Sequence, residues 1–201
     1  MLFNIKILYY INALNYKKVK FNLRLIMTIE SNKKINFRVT YLEMDNRPIF
    51  SWPKIAKQRI SILKSENIPP WYFLFLYKTV GSAYSWTDQL SKNNKEIDYF
   101  INNKNINFFT LIKHGWTAGF YMLDYRQKFL CDISYIGLVP EATGHGLGTY
   151  LFKTAILTAW DKTDIKKLTV NTCSLDHKNA LPLYQKLGFN PVRYEDLNKS
   201  Y

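Results

Sequence analysis

Cysteine and histidine are scarce, two and three in 201 residues. Cys131 and Cys173 lie far apart in the chain, a spacing that fits neither a paired-cysteine metal site nor a small disulfide scaffold. Both read as small core residues of a protein in the reducing cytoplasm. Acidic residues are few as well, 15 against 28 Lys and Arg, which gives a formal net charge of +13. No Gly/Ser linker and no internal repeat divides the chain, so one domain is the default. With 47% apolar residues, the chain can bury one sizeable core but hardly two.

The positive charge is uneven. Residues 1–36 carry seven Lys and Arg against one Glu, leaving a net +7 for residues 37–201. A moderately basic body suits a phosphate-bearing ligand as well as nucleic acid, and nucleic acid is not the expected partner. The apolar stretch Met1–Leu14 is interrupted by Lys6 and followed by Lys17, Lys18, Lys20 and Arg24, without the small-residue cleavage site of a signal peptide. It also falls short of the roughly 20 apolar residues of a membrane-spanning helix. Residues 1–36 are expected to form a disordered or loosely docked extension, with Met27 as an alternative start and a membrane-surface helix as the competing reading.

From residue 37 the pattern becomes that of a folded domain, 37–201. Phe37–Met44 is β-branched and aromatic with near alternation, a strand that ends at the turn-prone Asp45–Pro48. Lys54–Lys64 has an imperfect helical pattern, Trp71–Val80 a second, and Trp86–Asp88 opens a third with Thr87 as N-cap and Ile97, Phe100 and Ile101 as its buried stripe. Asn107–Ile112, Ala118–Tyr125 and Phe129–Val139 read as an antiparallel meander. A helix over 146–160, a strand over Lys167–Cys173, a helix over 177–187 and a strand from Phe189 complete a βαβαβ run. The predicted fold class is α/β, a mixed, mainly antiparallel sheet with helices on both faces.

Between the third strand of the meander and the following helix lies Leu138-Val139-Pro140-Glu141-Ala142-Thr143-Gly144-His145-Gly146-Leu147-Gly148-Thr149. Glycines here let backbone N–H groups approach an anion, and the helix N-terminus adds unpaired donors and the positive end of a dipole. A P-loop is excluded because no Lys-Ser/Thr pair follows. A dinucleotide fingerprint is excluded because the glycines fall at 144, 146 and 148, with no suitably placed acid downstream.

The segment Thr143-Gly144-His145-Gly146-Leu147-Gly148 resembles the acetyl-CoA signature of the GNAT superfamily of N-acetyltransferases, Arg/Gln-x-x-Gly-x-Gly/Ala. Thr143 stands where the family usually has Arg or Gln. Further on, Asn179-Ala180-Leu181-Pro182-Leu183-Tyr184-Gln185-Lys186-Leu187-Gly188-Phe189 is similar to the superfamily's Ala-x-x-x-Tyr-x-x-x-Gly-Phe. The resemblance spans about Asp132–Val192.

That resemblance implies an enzyme that transfers an acetyl group from acetyl-CoA, its co-substrate, to an amine of a small molecule or protein by direct attack. The alternative is a non-catalytic acyl-CoA-binding module of the same fold. By position, the pantetheine arm would lie against Gly137, Leu138 and Val139 on one strand and Asn171 on the next. The phosphates would meet Thr143, Gly144, His145, Gly146, Leu147, Gly148 and Thr149, with Asn179 as a further contact. Asp132, eleven positions before Thr143, stands where histone-type members carry a glutamate base. Its competing reading is a solvated residue or a partner of Lys128, and Asp124 and Glu141 are weaker candidates for the base. Tyr184 would donate a proton or hydrogen bond to the departing sulfur; read without the motif, it is a core aromatic of an amphipathic helix. His145 and His177 are assigned neither catalysis nor metal. The aromatics Trp71, Tyr72, Phe73, Phe75, Tyr77 and Trp86 lie where superfamily members build the acceptor pocket, although such spacing also describes a core. No transmembrane segment is expected, and a homodimer is compatible with the sequence.

Overall fold

The phenylalanines and tyrosines of the central strands sort to two faces of a sheet, as strand alternation requires. Phe108 stacks on Phe120 with ring centroids 5.2 Å apart, and Phe109 stacks on Tyr121 at 4.7 Å. In this computed structural model, which describes residues 34–54 and 59–200, the first pair packs under one helical layer and the second under another.

The strands are β1 Lys34–Met44, β2 Ile60–Ser65, β3 Ile106–Lys113, β4 Trp116–Asp124, β5 Leu130–Leu138, β6 Lys167–Cys173 and β7 Asn190–Ser200. They form one sheet in the order β2-β3-β4-β5-β6-β1-β7. The β2–β3, β3–β4, β4–β5 and β6–β1 pairs are antiparallel, and β5–β6 is parallel. That parallel pair follows from the helical crossover between its strands. The helices are α1 Pro70–Gly81, α2 Asn94–Ile101, α3 Leu147–Trp160 and α4 Ala180–Lys186. Residues 38–195 form one compact unit.

Local chemistry explains the helix starts. Pro70 occupies the first turn of α1, where the missing N–H has no partner to lose. Asn93 caps α2 in a full capping box, its side chain accepting from Lys95 N and Glu96 N while Glu96 returns a bond to Asn93 N. Gly146, at φ 75°, turns the chain into α3. Gly188, at φ 102°, follows the end of α4. On one face of the sheet Phe73 of α1 meets Phe108 and Tyr135 edge-on. On the other, Tyr121 hydrogen-bonds Thr158 of α3, and Tyr184 of α4 stacks on Phe152 of α3 at 4.2 Å.

Three sequence expectations are corrected. The helix over Lys54–Lys64 is not formed: Ile60–Ser65 is strand β2, paired from Ile60↔Lys113 to Ser65↔Phe108. Ile60 and Ile62 turn toward the core while Ser61 and Leu63 face out, so a two-residue period underlies the isoleucines read as helical. Residues 55–58 of that segment lie outside the described residues. The third predicted helix starts at Asn94, well after Thr87, because Trp86 and Asp88 are used in tertiary packing instead. Trp86 packs on Tyr77 and Tyr135, and Asp88 accepts from the hydroxyls of both tyrosines. The last helix is shorter than 177–187, with His177–Asn179 closing a turn in which Asn179 N donates to His177 Nδ1 at 3.2 Å. Of the expected extension 1–36, residues 1–33 lie outside the described residues and Lys34–Asn36 belong to β1.

Candidate active site

Strand β5 carries the site. Its parallel pairing with β6 runs from Leu130↔Lys167 to Asp132↔Thr169 and is not continued toward Leu138 among the described residues. On its other edge, against β4, a bulge leaves Ser134 extra between Ile133 and Tyr135, and such bulges bend and twist a strand. Beyond Asp132, the β6-facing edge of β5 is thus open. Gly137 in that segment is required by packing: a Cβ there would stand 2.3 Å from Val80 Cγ1 of α1. Gly119 of β4, paired with Leu138, is equally constrained, since a Cβ would stand 2.5 Å from the Gly137 carbonyl oxygen.

Along this open edge lies a cleft of about 270 Å³. Of the residues singled out by sequence, Gly137, Leu138, Thr143, Gly144, Gly146, Gly148, Thr149, Asn179 and Tyr184 line it. Gly144 and Gly146 have φ of 80° and 75°, conformations that favour glycine, and nothing stands within 4 Å of where their Cβ atoms would be. No acidic residue occupies the first turn of α3, so the helix end keeps its positive potential. Thr143 turns its hydroxyl to the Pro140 carbonyl at 2.8 Å, which closes the 3₁₀ turn Pro140–Ala142. These features fit a pyrophosphate at the loop, held by backbone donors.

The remaining predicted residues lie apart. Val139 and Leu147 are buried, and Val139 N donates to Ala118 O at 3.0 Å. His145 is exposed in the loop. Asn171, exposed on β6 opposite Tyr41, and Asp132 share a second cleft of about 680 Å³. The register pairs Asp132 with Asp124 and Ile136 with Tyr121. Asp124 and Tyr121 are three residues apart on β4, which puts them on opposite sheet faces. Asp132 therefore approaches the splayed edge from the face opposite α3.

Asp132 is partly buried and accepts hydrogen bonds from Ser134 Oγ at 2.8 Å and Thr169 Oγ1 at 2.7 Å. Burial pushes its carboxyl up from the ordinary value, against the two hydroxyl donors; Asp124 adds to the rise and Arg126 opposes it. A carboxylate raised in this way is suited to accepting protons nearer neutral pH. Tyr184 is buried, and desolvation pushes its phenol well above the usual range, so it stays protonated and can only donate or share its proton. Burial also pushes the Cys131 thiol up, which opposes a nucleophilic role. Among the described residues no group of three His, Cys, Asp or Glu could hold a metal ion. No described helix is long and apolar enough to cross a membrane.

None of the six aromatics proposed as an acceptor wall lines either cleft. Phe73 and Tyr77 are fully buried, whereas Trp71 and Phe75 are 68% and 56% exposed. Sequence reasoning missed Ser134 and Thr169 beside Asp132, Arg126 and Arg193 in its cleft, and Tyr84 beside the glycine loop. Thr169 could be found only from the β5–β6 register, which no local pattern encodes.

The sequence matches the family model described as the acetyltransferase (GNAT) family over residues 70–189. The chain belongs to the GNAT acetyltransferase family. No match was found among curated proteins. Among solved structures, a GCN5-related N-acetyltransferase from Kribbella flavida is similar at TM-score 0.55 and 13% identity, over 80% of this chain and 56% of that one. A tandem GNAT protein from the clavulanic acid biosynthesis pathway is similar at TM-score 0.60 and 15% identity, over 81% of this chain and 53% of that one. An aminoglycoside acetyltransferase from an uncultured soil metagenomic sample, solved with sisomicin, is similar at TM-score 0.52 and 15% identity, over 71% of this chain and 94% of that one. The chain thus spans little more than half of the first two. At these identities the likeness establishes the fold, a mixed α/β sheet of GNAT type.

Proposed function

We propose that this protein is an N-acetyltransferase that uses acetyl-CoA and acetylates an amine by direct attack. The observation that carries the reading is the splayed β5–β6 edge, with the glycine cleft and Tyr184 along it and Asp132 where the pairing ends. The backbone donors of the Gly144–Thr149 loop would hold the pyrophosphate, and the open edge of β5 at Gly137 and Leu138 would take the arm that leads to the thioester. Asp132 would remove the proton of an ammonium group, directly or through a water, because a lysine-like amine with pKa near 10.4 is mostly protonated at neutral pH. The amine nitrogen then bonds to the acetyl carbon as the carbon–sulfur bond breaks, the second proton lost by the nitrogen ends on the sulfur to give the CoA thiol, and Tyr184 hydrogen-bonds the departing sulfur or relays that proton to it, taking one back in turn. The two unpaired cysteines suit a reducing compartment such as the cytoplasm.

The test is amine-dependent thiol release from acetyl-CoA over a panel of amines, with a CoA-induced thermal shift measured alongside. Transfer to at least one amine is expected, and Asp132→Asn should lower its rate on the order of 10² to 10³. Cofactor binding with no turnover on any amine contradicts the reading, and full activity in Asp132→Asn removes Asp132 as its base.

A further inference from the structure

We propose that the acceptor is a small amine that also bears a carboxylate, an amino acid or short peptide, and that Arg126 and Arg193 bind that carboxylate. The inference rests on the acyl-transfer reading above and concerns the 680 Å³ cleft on the Asp132 side of the sheet. Three carboxylates and two guanidiniums line this cleft, and the partners of each decide what it can accept. Asp124 is held by Arg126 through Nε and Nη2 at 2.6–3.0 Å. Glu43 is held by Lys167. Asp132 takes two hydroxyl donors and sits where burial disfavours its charge. No unpaired carboxylate of this cleft remains to receive the second and third ammonium groups of a polycation.

The arginines are arranged differently. Arg126 is fixed by Asp124 and by the Phe100 ring, 5.3 Å away, while its Nη1 makes no hydrogen bond among the described residues. Arg193 lies 3.6 Å over the Tyr41 ring and gives Nη1 to Glu195 at 2.9 Å. Tyr41 donates to the same carboxylate at 2.8 Å, so ring, guanidinium and Glu195 lock one another. A guanidinium already immobilised loses little side-chain entropy on meeting a carboxylate, and its planar fork matches two carboxylate oxygens. Arg126 and Asp132 line the same cleft, and Asp124, which Arg126 grips, is the register partner of Asp132, which puts the base and a carboxylate anchor within one small molecule's reach. The reaction is RNH₃⁺ plus acetyl-CoA giving RNHCOCH₃, CoA thiol and a proton: one ammonium proton passes to Asp132 and on to solvent, the N–C bond forms, the C–S bond breaks, and the second proton lost by the nitrogen ends on the sulfur.

The experiment compares matched acceptors with acetyl-CoA as donor: α-amino acids and dipeptides, their C-terminal amides, and a polycationic aminoglycoside. The wild-type protein should favour acid over amide in kcat/KM on the order of tenfold, mainly through KM. Arg126→Gln and Arg193→Gln should each bring that ratio toward one, and Arg126→Lys, which keeps charge without the fork, should restore it in part. Because the readout is a ratio within one protein sample, partial misfolding cancels. Transfer to amides or to the aminoglycoside with no preference for the carboxylate, or a ratio unchanged in both Gln variants, overturns this proposal alone. No transfer to any acceptor overturns the acyl-transfer reading, and this inference with it.

Discussion

The hydroxyl of Thr169 is one of two hydroxyls that donate to Asp132 and stabilise its charged form. Thr169→Val should therefore push the Asp132 carboxyl still higher. A general base works deprotonated, so the rate falls as pH falls through its pKa, and in the wild type this acid limb should lie above the ordinary carboxylate value of about 4. Profiles of kcat/KM against pH should show the limb displaced to higher pH in Thr169→Val and absent in Asp132→Asn. An unmoved limb in Thr169→Val would separate the titration from Asp132. Tyr184→Phe removes a hydroxyl that burial keeps protonated and so able to donate to the sulfur, and it should lower the rate on the order of tenfold to a hundredfold with little change in acetyl-CoA affinity. Wild-type turnover would leave the stacking on Phe152 as the ring's role. At this scale the resemblance points to Tyr184 through its motif and to Asp132 through its position before Thr143. The hydroxyls around Asp132 were illegible because they come from a strand brought alongside only by the fold.

Among the elements, α1 and β5 meet at a contact that only glycine permits. Gly137→Ala would place its Cβ 2.3 Å from Val80 Cγ1, and forcing α1 and β5 apart should destabilise by about 1–3 kcal/mol in denaturant melts. Val80→Ala should recover much of that loss in the double variant, whereas additive losses would show that the clash is relieved elsewhere. The loop before α3 makes the opposite prediction. Nothing crowds Gly146, so Gly146→Asp should stay folded, with some backbone strain, yet weaken acetyl-CoA binding at least about tenfold by setting a carboxylate against the phosphates. Unchanged affinity in calorimetry would remove the phosphate assignment. The meander, β6 and α3 were legible because their periods are long and bounded by turns. Strand β2 is not legible in the sequence because its two inward isoleucines also suit a helix, and the cap of α2 is the Asn93–Glu96 box rather than Thr87.

For residues 38–195 as a whole, one sheet separates the two clefts, and both reach the splay of β5 from β6. The glycine cleft lies along that edge with α3 and α4 around it, and the larger cleft reaches the same edge where β5 and β6 part at Asp132 and Thr169. The order of strands and helices in the C-terminal half was readable from period and glycine placement. The partition of groups between two clefts was not, because it depends on which face each residue takes after the bulge at Ser134. The same limit explains the aromatics of α1: helical spacing could not say that Phe73 and Tyr77 point into the core while Trp71 and Phe75 face solvent. The central claim is direct transfer from acetyl-CoA to an amine, and a single-turnover reaction with acetyl-labelled CoA thioester measures it most directly. Direct transfer gives one labelled amine for each thiol released and no label left on the protein at any time. Label held covalently by the protein, or thiol released without acetylated amine, would contradict it.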